Sequence, residues 1–260
     1  MFDSQSLIPL VLSLLAGLST VIGAFIVFFS KSSNKRLITF ALAFSAGVMI
    51  TISFTDLYPS AQETLIKYEG KLNGVLLALL FMIVGVFIAF LIDHFIPEGN
   101  KNNTSKGKGN GNLYRVGFVS MIAMMLHNFP EGVATFVSGY QSTSLGIYIA
   151  MAIALHNIPE GISIAMPIYY STGSKGKAFK YTFISGMAEP IGALLALLFL
   201  KPFINEIILS VIFALVAGIM LYIAFQELIP ESRIYGYNRL YIFSVILGIC
   251  IIPISHIFIG

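Results

Sequence analysis

Apolar residues along this chain come in long blocks rather than in alternating pairs, and the breaks between blocks carry most of the charge. The blocks run to about 20 residues, the length an α-helix needs to cross roughly 30 Å of hydrocarbon. Reading blocks against breaks predicts eight helical spans, at residues 7–29, 37–57, 74–92, 115–139, 145–168, 179–200, 204–226 and 240–258. A helix satisfies its backbone polar groups internally, as hydrocarbon requires, whereas the short alternating strands of an outer-membrane barrel are not the pattern seen. The expected fold class is therefore all-α, a polytopic membrane protein with a single transmembrane domain over residues 1–260. Between the third and fourth spans the chain reads KNNTSKGKGNGN, residues 101–112, with almost nothing apolar to bury. A flexible linker is expected at 97–113.

Composition agrees with the pattern. Hydrophobic residues make up 57% and charged ones 10%, with a mean hydropathy of +0.88, whereas soluble chains are about a quarter charged. Asp3 precedes the first block without a Lys or Arg, and that block has no short apolar core with a cleavage site, so it reads as a first span rather than a removed signal. Cys250 is the single cysteine and forms no internal disulfide.

The positions of the cations orient the spans. Loops after spans one, three, five and seven hold twelve of the 15 Lys and Arg residues, namely Lys31, Lys35, Arg36, Lys101, Lys106, Lys108, Arg115, Lys175, Lys177, Lys180, Arg233 and Arg239. The other side holds Lys67, Lys71 and Lys201. Positive charge collects on the cytoplasmic side, so both termini are expected outside and the 97–113 linker in the cytoplasm of a cell in whose plasma or bacterial inner membrane the protein sits.

The spans also repeat with inversion. GVMITISFTDLYP (47–59) in span two and GIMLYIAFQELIP (218–230) in span seven share Gly, Met, Ile, Phe, an acid, Leu and Pro at identical offsets, on helices of opposite direction. LSTVIGA (18–24) in span one and MAEPIGA (187–193) in span six form a weaker pair, in which Thr20 answers Glu189. Spans four and five carry HNFPEG (127–132) and HNIPEG (156–161). The pairings nest as three helices, a central antiparallel pair and three inverted helices, an arrangement that places a substrate site near the midplane of a secondary transporter.

The repeated string is where the chemistry lies. An ionisable side chain in hydrocarbon costs at least about 2.5 kcal/mol, and each central span carries two, at i and i+4. His127, Asn128 and Glu131 share a helix face that extends through Ser120, Met124, Thr135 and Ser138, and span five repeats the design with His156, Asn157, Glu160 and Ser163. His127 lies twelve residues beyond Arg115, His156 eleven into span five and Glu189 nine beyond Lys180, so all sit near mid-depth. Three carboxylates with no Lys or Arg in any span core need protons or cations to compensate them. Imidazole nitrogen with carboxylate oxygen suits borderline divalent metals such as Zn²⁺, Fe²⁺, Co²⁺ or Mn²⁺. Seven ligands exceed one tetrahedral ion, and two ions bridged by Glu131 and Glu160 would use them. Pro130, Pro159 and Pro190 each free the carbonyl four residues earlier, those of Leu126, Leu155 and Gly186, beside these residues.

Other residues carry open alternatives. Met49, two turns before Asp56, is either packing or a soft ligand. Asp56 at the outer end of span two and Glu227 at the inner end of span seven are either cation-attracting groups at the two mouths or carboxylates solvated by headgroups. His94 and His256 have no partner in spacing and read as structural.

Two HNxPEG helices followed by AEP in the next span resemble the ZIP family of divalent metal transporters, most closely its bacterial zinc-uptake branch. The resemblance covers all eight spans. It implies a homodimer that imports metal, with His127, Glu131 and Glu160 holding one ion and Asn128, Asn157, Glu131, Glu160 and Glu189 around a second. It further implies that Met49, in the GVM motif, contributes to the first site, and that His156 matches a position that varies. The family's inner loop between spans three and four is often rich in histidine, and residues 101–112 have none.

The expected function is thus import of divalent metal, zinc foremost and iron, manganese, cobalt or cadmium besides, by alternating access of spans one, four, five and six against two, three, seven and eight. No enzyme activity, prosthetic group or nucleic-acid partner is expected. One rival is an intramembrane metallohydrolase, which would want an HExxH helix where the chain has Asn128 and Asn157. Another is a proton or monovalent-cation pathway built on Glu131, Glu160 and Glu189.

Overall fold

A computed structural model describes residues 4–29, 35–95, 109–203 and 205–259. Within them the secondary structure is helical, with no strand. The helices are α1 (Ser4–Phe29), α2 (Lys35–Ile52), α3 (Tyr58–Glu69), α4 (Lys71–Phe95), α5 (Gly109–Gln141), α6 (Thr143–Thr172), α7 (Lys175–Gly186), α8 (Ala188–Leu195), α9 (Glu206–Ile223), α10 (Ile229–Arg233) and α11 (Asn238–Ile259). Six stretches of the described residues are long and apolar enough to cross a membrane: Gln5–Phe29, Lys35–Glu69, Lys71–Leu91, Thr143–Thr172, Lys175–Leu200 and Glu206–Arg233. The fourth and eighth expected spans are helical too, as α5 and α11. The linker expected at 97–113 lies mostly outside the described residues, and α5 begins at Gly109.

Spans two and seven run on past the ends that hydropathy assigns them. α2 passes through a wide turn at Ser53–Leu57 into α3, and α9 through a wide turn at Ala224–Leu228 into α10. A third wide turn, Ala196–Leu200, follows α8. Each ends two residues before a proline, Pro59, Pro230 or Pro202. Proline lacks an N–H and pushes away the carbonyl a turn earlier, and slipping the ladder to five-residue spacing re-pairs the backbone. The Tyr58 N–H accordingly bonds Ser53 O and the Ile229 N–H bonds Ala224 O. α3 is invisible to hydropathy because YPSAQETLIKYE is polar on most faces, yet it buries Ala61 and Leu65 and packs on α4 and α9.

α5 and α6 pack against each other at the centre. α1 lies on α6, and α8 lies on α5. Around them α2 packs on α6 and α11, and α9 packs on α4 and α3. The closest crossings occur at glycine: a Cβ on Gly47 would stand 2.3 Å from Val245 O in α11, and one on Gly218 would stand 2.0 Å from Met82 O in α4.

The two ends of the bundle differ. At one end Lys35 lies over Tyr235, Arg36 over Tyr237, Arg233 over Tyr241 and Lys175 over Phe28. These contacts gather cations from the loops after spans one, five and seven, three of the four loops that the charge count assigned to one side. At the other end Lys67 and Tyr68 hydrogen-bond Glu206, and Gln5 bonds the carbonyl of Tyr140.

Candidate metal centre

The two copies of the motif sit midway along α5 and α6, and both helices continue through Pro130 and Pro159. The sixth span breaks instead, at Met187, so that Glu189 falls in the first turn of α8, where the partial positive end of the helix favours a carboxylate. The Gly186 carbonyl freed by Pro190 abuts α1: a Cβ on Gly17 would lie 2.3 Å from it.

Glycine at the end of each motif sets how closely the flanking helices approach. A Cβ on Gly132 would lie 1.8 Å from the carbonyl oxygen of Glu189, and a Cβ on Gly161 would lie 1.8 Å from the carbonyl oxygen of Thr20. The backbones of α8 and α1 therefore touch α5 and α6 directly, at the two positions that the sequence paired. Glu189 comes beside the motif of α5 by this contact; Thr20 meets the motif of α6 through its backbone and carries a neutral hydroxyl.

Asn128, Glu131, His156, Asn157, Glu160, Glu189 and Met49 are all at most 1% exposed. Glu131 Oε1 stands 3.1 Å from His156 Nε2, and His156 Nδ1 is 3.1 Å from Ala152 O. The Asn157 amide donates to Glu189 Oε2 at 2.9 Å and to Ala16 O at 3.1 Å. The Asn128 amide donates to Ser185 O at 3.2 Å. Each carboxamide thus spends its N–H groups on the walls. Asn128 Oδ1, Asn157 Oδ1, Glu189 Oε1 and Thr20 Oγ1 are left buried with no hydrogen-bond partner among the described residues. A buried acceptor without a donor costs about 1–3 kcal/mol, and three of these four belong to residues that the sequence suggests as ligands. A cation is what acceptor oxygens can share.

The structure draws these residues together in pairs, Glu131 with His156 and Asn157 with Glu189. Among the described residues, no three His, Cys, Asp or Glu side chains converge on a point that could hold a metal ion. The His127 position lies on α5, but its side chain is outside the described residues, as are those of Glu227 and His256. Asp56 lies in the wide turn Ser53–Leu57, where the Thr55 hydroxyl donates to it and the Tyr148 hydroxyl of α6 reaches it. His94 stacks on Phe90 near the end of α4.

A residue that the motifs do not mark also contacts one of these carboxylates. Ser45 of α2, fully buried, donates to Glu160 Oε1 at 3.3 Å. The signal available in sequence is its place four residues before Met49, on the same helix face.

Comparison with known proteins follows the same outline. The family described as ZIP Zinc transporter matches residues 6–116 and 98–255. Zinc transporter ZupT of Streptococcus mutans is 46% identical over 250 residues, 94% of this chain and 95% of that protein. Zinc transporter ZupT of Akkermansia muciniphila is 42% identical over 259 residues, 95% and 96% of the two chains, and that of Clostridium perfringens is 42% identical over 270 residues, 96% and 95%. Because the family pattern and these relatives run through nearly the whole chain, the buried centre on α5 and α6 included, the chain belongs to the ZIP zinc transporter family.

Proposed function

We propose that this protein imports divalent transition-metal ions, zinc foremost, into the cytoplasm through the buried centre between α5 and α6. The observation that carries the reading is the set of acceptor oxygens at Asn128, Asn157 and Glu189, fully buried and without donors among the described residues, beside two further carboxylates. Family membership adds transport as the activity and sets aside the metallohydrolase, which would also need a general base where the chain has Asn128 and Asn157.

In this reading the ion is cargo, and the site takes two ions. His127, Glu131 and Glu160, with Met49, hold one; Asn128, Asn157, Glu131, Glu160 and Glu189 surround the other; His156 stands ready beside Glu131. Iron, manganese, cobalt and cadmium fit the same nitrogen and oxygen donors. Asp56 and Glu227 attract cations at the two mouths.

Transport proceeds by alternating access, with α1, α5, α6, α7 and α8 moving against the helices of spans two, three, seven and eight. The crossings support an inverted repeat behind that motion. The pair Gly161–Thr20 on α6 and α1 answers Gly132–Glu189 on α5 and α8. Gly17 and Gly186, which the repeat makes equivalent, face each other, each Cβ falling within 2.3 Å of the other's carbonyl oxygen. The wide turns Ser53–Leu57 and Ala224–Leu228 fall at matching offsets of spans two and seven. Both termini lie outside, the cation-rich end faces the cytoplasm, and the working unit is a homodimer.

Uptake of Zn²⁺ into proteoliposomes is expected to disappear in Glu131→Ala and in Glu160→Ala while the wild-type protein transports. Uptake that survives both substitutions would overturn the proposal. A proton or monovalent-cation pathway predicts no stoichiometric Zn²⁺ or Cd²⁺ binding by the purified protein.

A further inference from the structure

Hydroxyls in these helices mostly serve their own backbone. Thr51 donates to Gly47 O, Ser53 to Met49 O, Ser138 to Ala134 O, Thr182 to Ala178 O and Ser244 to Leu240 O, each four residues back. Ser45 departs from that habit. Its hydroxyl leaves the carbonyl of Ala41 and crosses to α6, where it donates to Glu160 Oε1 at 3.3 Å, with both side chains fully buried. A bond to a carboxyl oxygen is worth more than a second bond to a helix carbonyl that is already paired, which is why the rotamer is held.

The surroundings make this contact conspicuous. Beside it α2 and α6 face each other across an apolar crevice of about 240 Å³ lined in part by Phe40, Ala41, Phe44, Leu155 and Ile158. The other bridging carboxylate, Glu131, is held by an imidazole, His156, and the residue of α9 that the repeat matches to Ser45 is Val216. The two bridging carboxylates are therefore positioned by different chemistry, one by a hydroxyl that comes from α2.

We infer that Ser45 is a positioning residue of the metal site, holding Glu160 in the orientation in which its second oxygen meets the ion and bordering the ion from the α2 side, one turn from Met49. This rests on the reading of Glu160 as a metal ligand. Outer partners that orient a ligating carboxylate are worth about tenfold to a hundredfold in metal affinity. Because the hydroxyl borders the ion, its replacement by a softer donor changes which ion is preferred.

The test is uptake of Zn²⁺ and Cd²⁺, singly and in competition, by purified wild-type protein, Ser45→Ala, Ser45→Thr, Ser45→Cys and Glu160→Ala in proteoliposomes. Ser45→Ala is expected to raise the KM for Zn²⁺ about tenfold with the maximal rate within about twofold, Ser45→Thr to restore it, and Ser45→Cys to shift preference toward Cd²⁺ at least about fivefold. Wild-type KM and an unchanged Cd²⁺ to Zn²⁺ ratio in all Ser45 variants, with Glu160→Ala inactive, would overturn the inference and leave the site intact. Loss of activity in Ser45→Ala that follows a fall in thermal stability and is not restored by Ser45→Thr would also overturn it, as a packing role. Wild-type transport by Glu160→Ala would remove the ligand assignment itself.

Discussion

Glu131 Oε1 lies 3.1 Å from His156 Nε2, so the carboxylate of one motif copy is tied to the imidazole of the other. Since Nδ1 of the same ring faces a carbonyl, which accepts only, the ring carries a proton there, and a second proton sits between Nε2 and the carboxylate. A metal ion that takes Glu131 competes with the proton held at this contact, because cation and proton draw on the same carboxylate charge. Affinity for Zn²⁺ is therefore expected to weaken as pH falls from 8 to 5, with proton release visible by calorimetry in buffers of different ionisation enthalpy. An affinity that stays flat over that range would contradict the ligand set.

The acceptor oxygens left over at Asn128, Asn157 and Glu189 give a second expectation. An ion that binds only the folded protein stabilises it by mass action, about 2.7 kcal/mol at a hundred times Kd. Zn²⁺ should raise the melting temperature of the detergent-solubilised protein, EDTA should reverse the rise, and Asn157→Ala should lose most of it. The last follows because Asn157 both offers Oδ1 and holds Glu189 in place through its amide. A rise of equal size in that variant would place the ion elsewhere.

Close approach of helices makes Gly132 and Gly161 intolerant of a methyl group, since the atom in the way is backbone oxygen. Gly132→Ala must push α8 and Glu189 outward, a strain of about 1–3 kcal/mol with loss of uptake. Gly176 is the control. A Cβ there would meet nothing nearer than Ser174 Oγ at 3.9 Å, and removing backbone freedom in α7 should stabilise by about 0.4–1 kcal/mol without affecting uptake. Thermal melts and uptake on both variants decide this, and equal tolerance would mean that α8 does not rest on Gly132.

The helices and the centre differ in how far sequence reaches. Block length locates the long helices, six of which are apolar enough among the described residues to cross a membrane, because hydrocarbon favours a helix that pairs its own backbone, and the i, i+4 spacing within the motifs is enough to single out Glu131, His156 and Glu160. Hydropathy cannot see α3, whose polar sequence is held by packing on α4 and α9, nor the slipped turns, which a proline permits but does not announce. Ser45 is hidden for another reason. A serine in a membrane helix ordinarily bonds its own backbone, and only the packing of α2 on α6 brings Glu160 close enough to draw it away. The pairing of Thr20 with Glu189, by contrast, is suggested by the match of LSTVIGA with MAEPIGA, and the carbonyl oxygens of both residues lie 1.8 Å from where a Cβ on a motif glycine would stand.

Asp56 offers a test that separates charge from structure. It sits in the wide turn where α2 passes into α3, with the Tyr148 hydroxyl reaching it from α6. If its charge raises the local cation concentration at the outer mouth, Asp56→Asn should lower uptake severalfold at subsaturating Zn²⁺ and leave the maximal rate unchanged. That deficit should shrink as inert salt, balanced across the membrane, approaches about 1 M, where the screening length is only about 3 Å. Tyr148→Phe removes the hydrogen bond and keeps the charge, so its KM should stay near wild type. A salt-independent deficit in Asp56→Asn, matched by Tyr148→Phe, would instead assign the pair to holding α2 against α6.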